Sequence, residues 1–271
     1  MSFLEHVDLL DPGAERRETF PFAVPSIAAH IGKRVSFSAP VTFLVGENGS
    51  GKSTLLEGIA CAVGLPGIGS TEPGDDPTLA HGRILASSIK LRWKLRHPHR
   101  GYFIRAEDFF GWTKRMDHLT SELRAGLQAV QDDQSLTDIA RTFGSIPFST
   151  QLRAVEASYG KSGLDARSHG EQFLDLFAAR CHSPGLYLMD EPEAPLSPGR
   201  QLTFLSMLRT MSREGAQFII ATHSPILLAL PGAQILSFDG GEIHPAAYDT
   251  LEHVQIMRTF LEDPEAYLRH S

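Results

Sequence analysis

A glycine-rich loop between a buried strand and a helix is the feature that most constrains this chain of 271 residues. The run Gly46–Ser53 reads GENGSGKS and satisfies every fixed position of the pattern GxxxxGK[ST]. The apolar run Val35–Val45 before it predicts a buried strand, and the apolar spacing in Ser53–Val63 predicts a helix. This order favours a phosphate-binding loop over a chance match in a glycine-rich turn.

The residue types of the loop suit a nucleoside triphosphate. Glycines let backbone N–H groups face phosphate oxygens, and the helix N-terminus adds a partial positive charge. Lys52 is predicted to reach the β- and γ-phosphates, and Ser53 to offer its hydroxyl to Mg²⁺. We therefore predict that ATP and Mg²⁺ bind here, with the nucleotide held by Gly46, Glu47, Asn48, Gly49, Ser50, Gly51, Lys52, Ser53 and Thr54.

A second candidate element is the apolar run Leu186–Met189, which ends in two carboxylates. Asp190 is predicted to hold the Mg²⁺ shell, and Glu191 to polarise the attacking water. An acidic loop after a core strand is the alternative. The upstream glycine loop favours the catalytic interpretation, because phosphoryl transfer needs this second metal element.

The rest of the pattern predicts an α/β fold, since short apolar strands alternate with helices. The spacing from Trp112 to Thr142 predicts an amphipathic helical insertion. A glycine- and proline-rich segment, Leu65–Pro77, predicts an exposed loop. The predicted strands are Arg83–Trp93, Tyr102–Arg105, Gly185–Met189, Gln217–Ala221 and Gln234–Phe238, and the predicted helices are Glu171–Ala179, Gln201–Arg213, the short Ile226–Leu230 and the tail Tyr248–Leu261.

Composition narrows the classes of function. The net charge of −7 argues against broad nucleic-acid binding, and two cysteines without a CxxC pair fit a reducing cytoplasm. The acidic N-terminus lacks a signal-peptide pattern. The most apolar run, Phe218–Leu230, is interrupted by His223 and Pro225, so no direct membrane insertion is expected.

Four motifs occur in the order found in ABC-type ATPase domains: Gly46–Ser53, the run Ser-His-Gly-Glu at 168–171, Asp190-Glu191-Pro192, and His223. The chain resembles that family, including its SMC- and RecF-like branch and the compact proteins described as AAA-family or ATP-binding. The resemblance implies a P-loop NTPase fold with a mainly parallel sheet flanked by helices, an antiparallel β element and a short helical insertion. It places the nucleotide-binding core at 1–108 and 165–271 and the insertion at 109–164.

The resemblance also implies roles and a partner. Ser168 and Gly170 correspond to the signature motif, which contacts the γ-phosphate of ATP held by the opposite subunit, so a homodimer on ATP binding is expected. His169 departs from the family's glycine, and an ordinary helix cap is the alternative for this run. His223 corresponds to the switch histidine. Together with the two motifs above, this gives Lys52, Glu191 and His223 as the expected catalytic residues.

Three functions stay open on this evidence. One is an ATPase in nucleic-acid maintenance or defence that drives an unidentified protein partner; the others are a transporter subunit and a nucleotide-gated scaffold. Transporter subunits carry a glutamine before the insertion, yet none occurs from Thr54 to Leu127. Glu107 is a candidate for that loop, with a solvated acid as the alternative. The basic run Lys90–Arg100 suggests nucleic acid, or a strand with one solvated face.

Two aromatic positions and the tail also have alternative interpretations. Phe20 and Phe22 could stack on adenine or pack in the core. The apolar face of the predicted tail helix could dock on its own domain or mediate contacts with another molecule.

Overall fold

The computed structural model describes residues 3–67, 76–94, 100–159 and 168–269. Its contacts divide the chain into two compact units, Met1–Ala106 with Cys181–Ser271, and Glu107–Arg180. The predicted insertion, 109–164, falls within the sequence range of the second unit.

The strands and helices of the described residues alternate along the first unit, and the second unit is helical. The strands are β1 Leu4–Leu9, β2 Arg34–Ser36, β3 Val41–Val45, β4 Ile89–Trp93, β5 Gly101–Arg105, β6 Leu186–Asp190, β7 Gln217–Ala221, β8 Gln234–Ser237 and β9 His244–Pro245. The helices are α1 Ala14–Arg17, α2 Pro25–Ala28, α3 Lys52–Val63, α4 Ala80–Ala86, α5 Ala106–Asp132, α6 Asp138–Tyr159, α7 His169–Arg180, α8 Pro198–Arg213, α9 Pro225–Leu228, α10 Glu252–Glu262 and α11 Pro264–Leu268.

The strands of the first unit form two sheets. The larger has the order β5-β6-β7-β3-β8-β9, in which only β9 runs antiparallel to its neighbour. Its central strands β3 and β7 are buried at every position, as expected for parallel strands covered on both faces. The smaller sheet is antiparallel, with the order β2-β1-β4. The predicted α/β fold with an antiparallel element is confirmed.

Two glutamine side chains connect the sheets. Gln217, fully buried at the start of β7, accepts hydrogen bonds from the N–H groups of Phe3 and Leu4 at 2.7 and 2.8 Å, and donates to the Leu4 carbonyl at 2.8 Å. Gln234 at the start of β8 accepts from Ser38 N–H at 2.7 Å and donates to the Ser36 carbonyl at 3.0 Å. Each amide therefore satisfies backbone groups of the other sheet.

The prediction of one strand over Val35–Val45 is wrong. The chain forms β2 and β3 in different sheets, with Pro40 between them. Proline has no N–H for a ladder, and here its carbonyl accepts from Phe218 N–H at 2.8 Å as β3 begins. The crossing from one sheet to the other occurs at this break.

The prediction of a strand over Arg83–Trp93 is also wrong in its first half. Helix α4 occupies Ala80–Ala86, and only Ile89–Trp93 is a strand. Helix α4 packs closely on α3, since a Cβ at Gly82 would lie 3.1 Å from Glu57 Cβ. Tertiary packing therefore determines the secondary structure of this segment, because its apolar residues fit both the helical and the strand period.

The second unit is built on α5, α6 and α7. A Cβ at Gly126 of α5 would collide with the ring of Phe148, so glycine permits close packing of α5 on α6. Phe109 of α5 meets Phe173 of α7 edge to face, with ring centroids 5.3 Å apart. On the predicted amphipathic face of α5, Leu123 is buried.

The remaining predicted elements are confirmed, with ends shifted by a few residues. Much of the predicted loop Leu65–Pro77 lies outside the described residues. The tail helix forms as α10, where Val254 is buried but Met257 and Leu261 are exposed, so only part of its apolar face docks. In the described ranges, no helix combines the length and the apolar character that crossing a membrane requires.

Candidate active site

The glycine loop joins β3 to α3 at the edge of the large sheet where the parallel strands end. Glu47, Asn48 and Gly49 form an exposed tip, whereas Lys52 begins α3. Gly51 has φ +103°, and a Cβ there would strike Ser26 Oγ and lie 2.8 Å from Val24 Cγ1. Only glycine fits this position, since the backbone is left-handed and α2 presses against it.

Lys52 is buried beneath the loop, with 5% of its surface exposed. Its ammonium donates to the carbonyls of Gly46 and Glu47 at 2.7 and 2.9 Å. Burial lowers the pKa of Lys52, and the carboxylates of Asp190 and Glu191 act in the opposite direction. The Lys52 ammonium is therefore held beside loop carbonyls, and phosphate oxygens could replace these carbonyls as its hydrogen-bond acceptors.

Ser53 and Asp190 meet although 137 positions separate them. Ser53 Oγ in the first turn of α3 donates to Asp190 Oδ1 at 3.1 Å, and Thr54 lies half-buried beside Ser53. Two adjacent ligands of an octahedral Mg²⁺ at ~2.1 Å lie ~3.0 Å apart. The hydroxyl and the carboxylate therefore fit as two ligands of one Mg²⁺ ion.

Glu191 leaves β6 in a left-handed backbone conformation, with φ +49°. Its N–H still donates to the Ala221 carbonyl of β7 at 2.9 Å, so the turn begins while the chain is tied to the sheet. A non-glycine residue in this region is strained, and such residues cluster at functional sites. The half-exposed carboxylate lies 4.0 Å from His223 Nε2.

Glu193 is a site residue that the sequence pattern did not single out. Its carboxylate accepts a hydrogen bond from the backbone N–H of His223 at 2.7 Å, and burial raises its pKa. Burial also lowers the pKa of His223, which favours the neutral imidazole. Glu193 thus fixes the backbone that carries His223.

Asp239 is a second residue that the pattern did not single out; its run Asp-Gly-Gly reads only as a turn. Its Oδ1 accepts from the N–H of Glu47 at 3.0 Å, and its Oδ2 from Ser237 Oγ at 2.9 Å. The turn after β8 therefore holds the start of the glycine loop.

Replacing Asp239 with alanine is expected to weaken ATP affinity roughly three- to tenfold, because the loop loses a charge-assisted hydrogen bond. Isothermal titration calorimetry measures this loss. Asp11→Ala, which removes an exposed carboxylate paired with Arg17, is the matched control. Equal affinities for wild type and Asp239→Ala would contradict the assigned role.

A cavity of about 590 Å³ opens beside the loop. The first half of the loop, 46–50, forms one wall, and His223 with the turn after β8 forms another. The start of α10 completes it through Glu252, His253 and Ile256. Of the expected site residues, the first half of the loop and His223 line this cavity, whereas Lys52, Ser53, Asp190 and Glu191 are not part of its lining.

The signature-like residues lie in the second unit, at the start of α7. Ser168 and His169 are exposed and Gly170 is buried. The Glu171 carboxylate accepts from Ser168 N–H at 3.1 Å, which is half of a capping box. The His169 ring lies near that of Phe110, with centroids 6.1 Å apart.

Three further expectations from the sequence concern Glu107, the aromatic pair Phe20 and Phe22, and the basic run. The expected loop at Glu107 is absent, because β5 ends at Arg105 and α5 starts at Ala106, which places Glu107 in a helical first turn. Phe22 packs in the core, and Phe20 is exposed against His81. Of the basic run, Lys90 and Arg92 lie on the exposed face of β4, and residues 95–99 lie outside the described ranges.

Two family models match the chain. One, described as "AAA domain", matches residues 26–140. The other, described as "AAA domain, putative AbiEii toxin, Type IV TA system", matches residues 172–229. The first match contains the glycine loop, and the second contains Asp190, Glu191 and His223.

Curated relatives are ATP-binding proteins of ABC transporters. The chain is 26% identical to the phosphonates import ATP-binding protein PhnC of Polaromonas sp., over 94% of this chain and 87% of that one. It is 25% identical to the ABC transporter ATP-binding/permease protein Rv1747 of Mycobacterium tuberculosis, over 83% of this chain. The chain spans only 23–25% of the length of the latter and of two other relatives.

Among solved structures, an Smc head domain of Pyrococcus furiosus aligns over 97% of this chain and 99% of its own, with 14% identity and a TM-score of 0.46. The family models and the curated relatives match the segments that carry the loop, the acidic strand end and the histidine. The chain is therefore similar to AAA domains and to the ATP-binding proteins of ABC transporters.

Proposed function

We propose that the chain hydrolyses ATP and that Ser53 and Asp190 would hold the Mg²⁺ ion. Lys52 neutralises the β- and γ-phosphates, Glu191 takes the proton of the attacking water, and His223 contacts the γ-phosphate. The observation that carries this assignment is the 3.1 Å approach of Ser53 Oγ to Asp190 Oδ1 beside the buried ammonium. Mg²⁺ would supply charge neutralisation of the phosphates at that point.

The working form is proposed to be a homodimer that closes on ATP. Ser168 is exposed at the start of α7, where backbone N–H groups and the helix N-terminus suit an anion. In the closed dimer, Ser168 and Gly170 of one copy would contact ATP on the other. ATP would favour the closed state and hydrolysis the open one, a population shift driven by differential affinity.

The work output is proposed to lie in nucleic-acid maintenance or defence, through a protein partner. The model that matches residues 172–229 carries a toxin–antitoxin description, which favours defence. The curated relatives favour the second candidate, the ATP-binding subunit of an importer or exporter. The strand-to-helix junction at Ala106 lacks the glutamine that transporter subunits place before the insertion, and this favours the first candidate.

Duplex or single-stranded DNA is expected to raise ATP turnover of the purified chain at least severalfold, because DNA that favours the closed dimer would favour hydrolysis. Turnover is measured with and without each DNA at low salt, where contacts to phosphate are strongest. The substitution Lys90→Glu on the exposed face of β4 should reduce the stimulation without lowering basal turnover. ATP turnover that does not change with DNA but increases with a permease in vesicles would favour the function of a transporter subunit.

A further inference from the structure

The cavity beside the glycine loop collects three polar side-chain atoms that lack hydrogen-bond partners. Among the described residues, Ser50 Oγ, His223 Nε2 and His253 Nε2 are buried and make no hydrogen bond. All three residues line the same cavity of about 590 Å³. Buried polar atoms are normally paired, so a cavity that gathers three unpaired ones fits a polar ligand.

His253 is the member of this group that no motif includes. It lies in the first turn of α10, and α10 packs against α9, which starts two residues after His223. The Tyr248 hydroxyl donates to the Pro225 carbonyl of α9 at 3.1 Å. These contacts fix the start of α10 beside His223.

The groups around His253 carry charges of both signs. Burial lowers the pKa of His253; the Asp239 carboxylate opposes this effect and the Lys52 ammonium adds to it. A neutral imidazole has one N–H to donate. The Asp239 oxygens already accept from Glu47 N–H and Ser237 Oγ, and the acids Glu47 and Glu252 are exposed.

The position of the cavity indicates which end of the nucleotide would lie in it. Residues 46–50 line it, whereas Ser53 and Thr54 at the start of α3 do not. The Lys52 ammonium, which serves the β- and γ-phosphates, binds the carbonyls of Gly46 and Glu47 on this side. The cavity therefore lies at the terminal-phosphate end of the loop.

We propose that His253 donates a hydrogen bond to the terminal phosphate of ATP, so that α10 closes on ATP and not on ADP. This inference rests on the proposed site, and it adds a contact from α10 that distinguishes ATP from ADP by the third phosphate. Ser50 and His223 would supply the neighbouring donors. Nucleotide state would thereby be passed to α10, whose outer residues Met257 and Leu261 are exposed.

The test compares the affinities of wild type, His253→Ala and His253→Gln for ATP and for ADP, each with Mg²⁺. His253→Ala is expected to weaken ATP at least fivefold and to change ADP by less than twofold, because only ATP has the third phosphate. His253→Gln, which keeps an N–H donor, should recover part of the loss. His244→Ala, which changes an exposed histidine on β9, is the matched control.

Hydrogen exchange over 252–262 gives a second readout. ATP should slow exchange there in wild type and not in His253→Ala, and ADP should do so in neither. Equal losses for ATP and ADP, or no loss, would overturn the role of His253 while the ATP site stands. Wild type that binds neither nucleotide would overturn the site itself.

Discussion

Replacing Lys52 with alanine is expected to lower kcat/KM for ATP about a hundred- to a thousandfold. The substitution removes a positive charge that is preorganised beneath the loop, in a residue that is 5% exposed. Loss of one donor aimed at developing charge has an effect of this size in other enzymes. The ammonium makes its two hydrogen bonds to loop carbonyls, so no distant element depends on it through those bonds.

The measurement is steady-state phosphate release over a range of ATP concentrations. Lys33→Ala, which removes an exposed lysine just before β2, serves as the control and should retain wild-type turnover. Thermal unfolding of both variants reports whether the fold is retained. Hydrolysis by Lys52→Ala at the wild-type rate would contradict the assignment of the site.

Replacing Glu191 with glutamine should lower turnover about a hundred- to a thousandfold and leave ATP affinity within about twofold of wild type. The amide keeps the shape of the side chain but cannot accept the proton of the attacking water. The half-exposed carboxylate touches neither the loop nor Lys52 through a direct hydrogen bond among the described residues.

Phosphate release and ATP titration separate these two effects. Glu15→Gln, on the exposed helix α1, is the control for the loss of one acidic charge. A parallel loss of affinity and turnover would assign Glu191 to binding. Unchanged turnover would remove it from the chemistry.

The sequence predicts the part of the site that depends on local pattern. The strand before Gly46, the helix from Lys52 and the acidic end of β6 each carry their own signal, because short periodic or punctuated runs encode them. That Ser53 and Asp190 meet follows from parallel strands ending at one edge of a sheet. The structure adds the distance of 3.1 Å between them.

Other features depend on contacts that no local pattern encodes. Asp239 and Glu193 hold Glu47 and His223 through hydrogen bonds across long sequence separations, and the sequence pattern singled out neither residue. The failed strand over Arg83–Trp93 has the same cause, because packing of Gly82 against α3 selects a helix. His253 belongs to this group, since its neighbours come from α9 and the loop.

Sedimentation of Glu191→Gln with and without Mg-ATP tests the central claim, that the working site is shared between two copies. The variant is predicted to be monomeric without nucleotide and dimeric with Mg-ATP, because ATP stays bound when hydrolysis is slow. Adding Ser168→Arg, which places bulk and charge at an exposed position of α7, should keep the protein monomeric while ATP still binds. Glu191→Gln that remains monomeric with ATP bound would contradict the shared site.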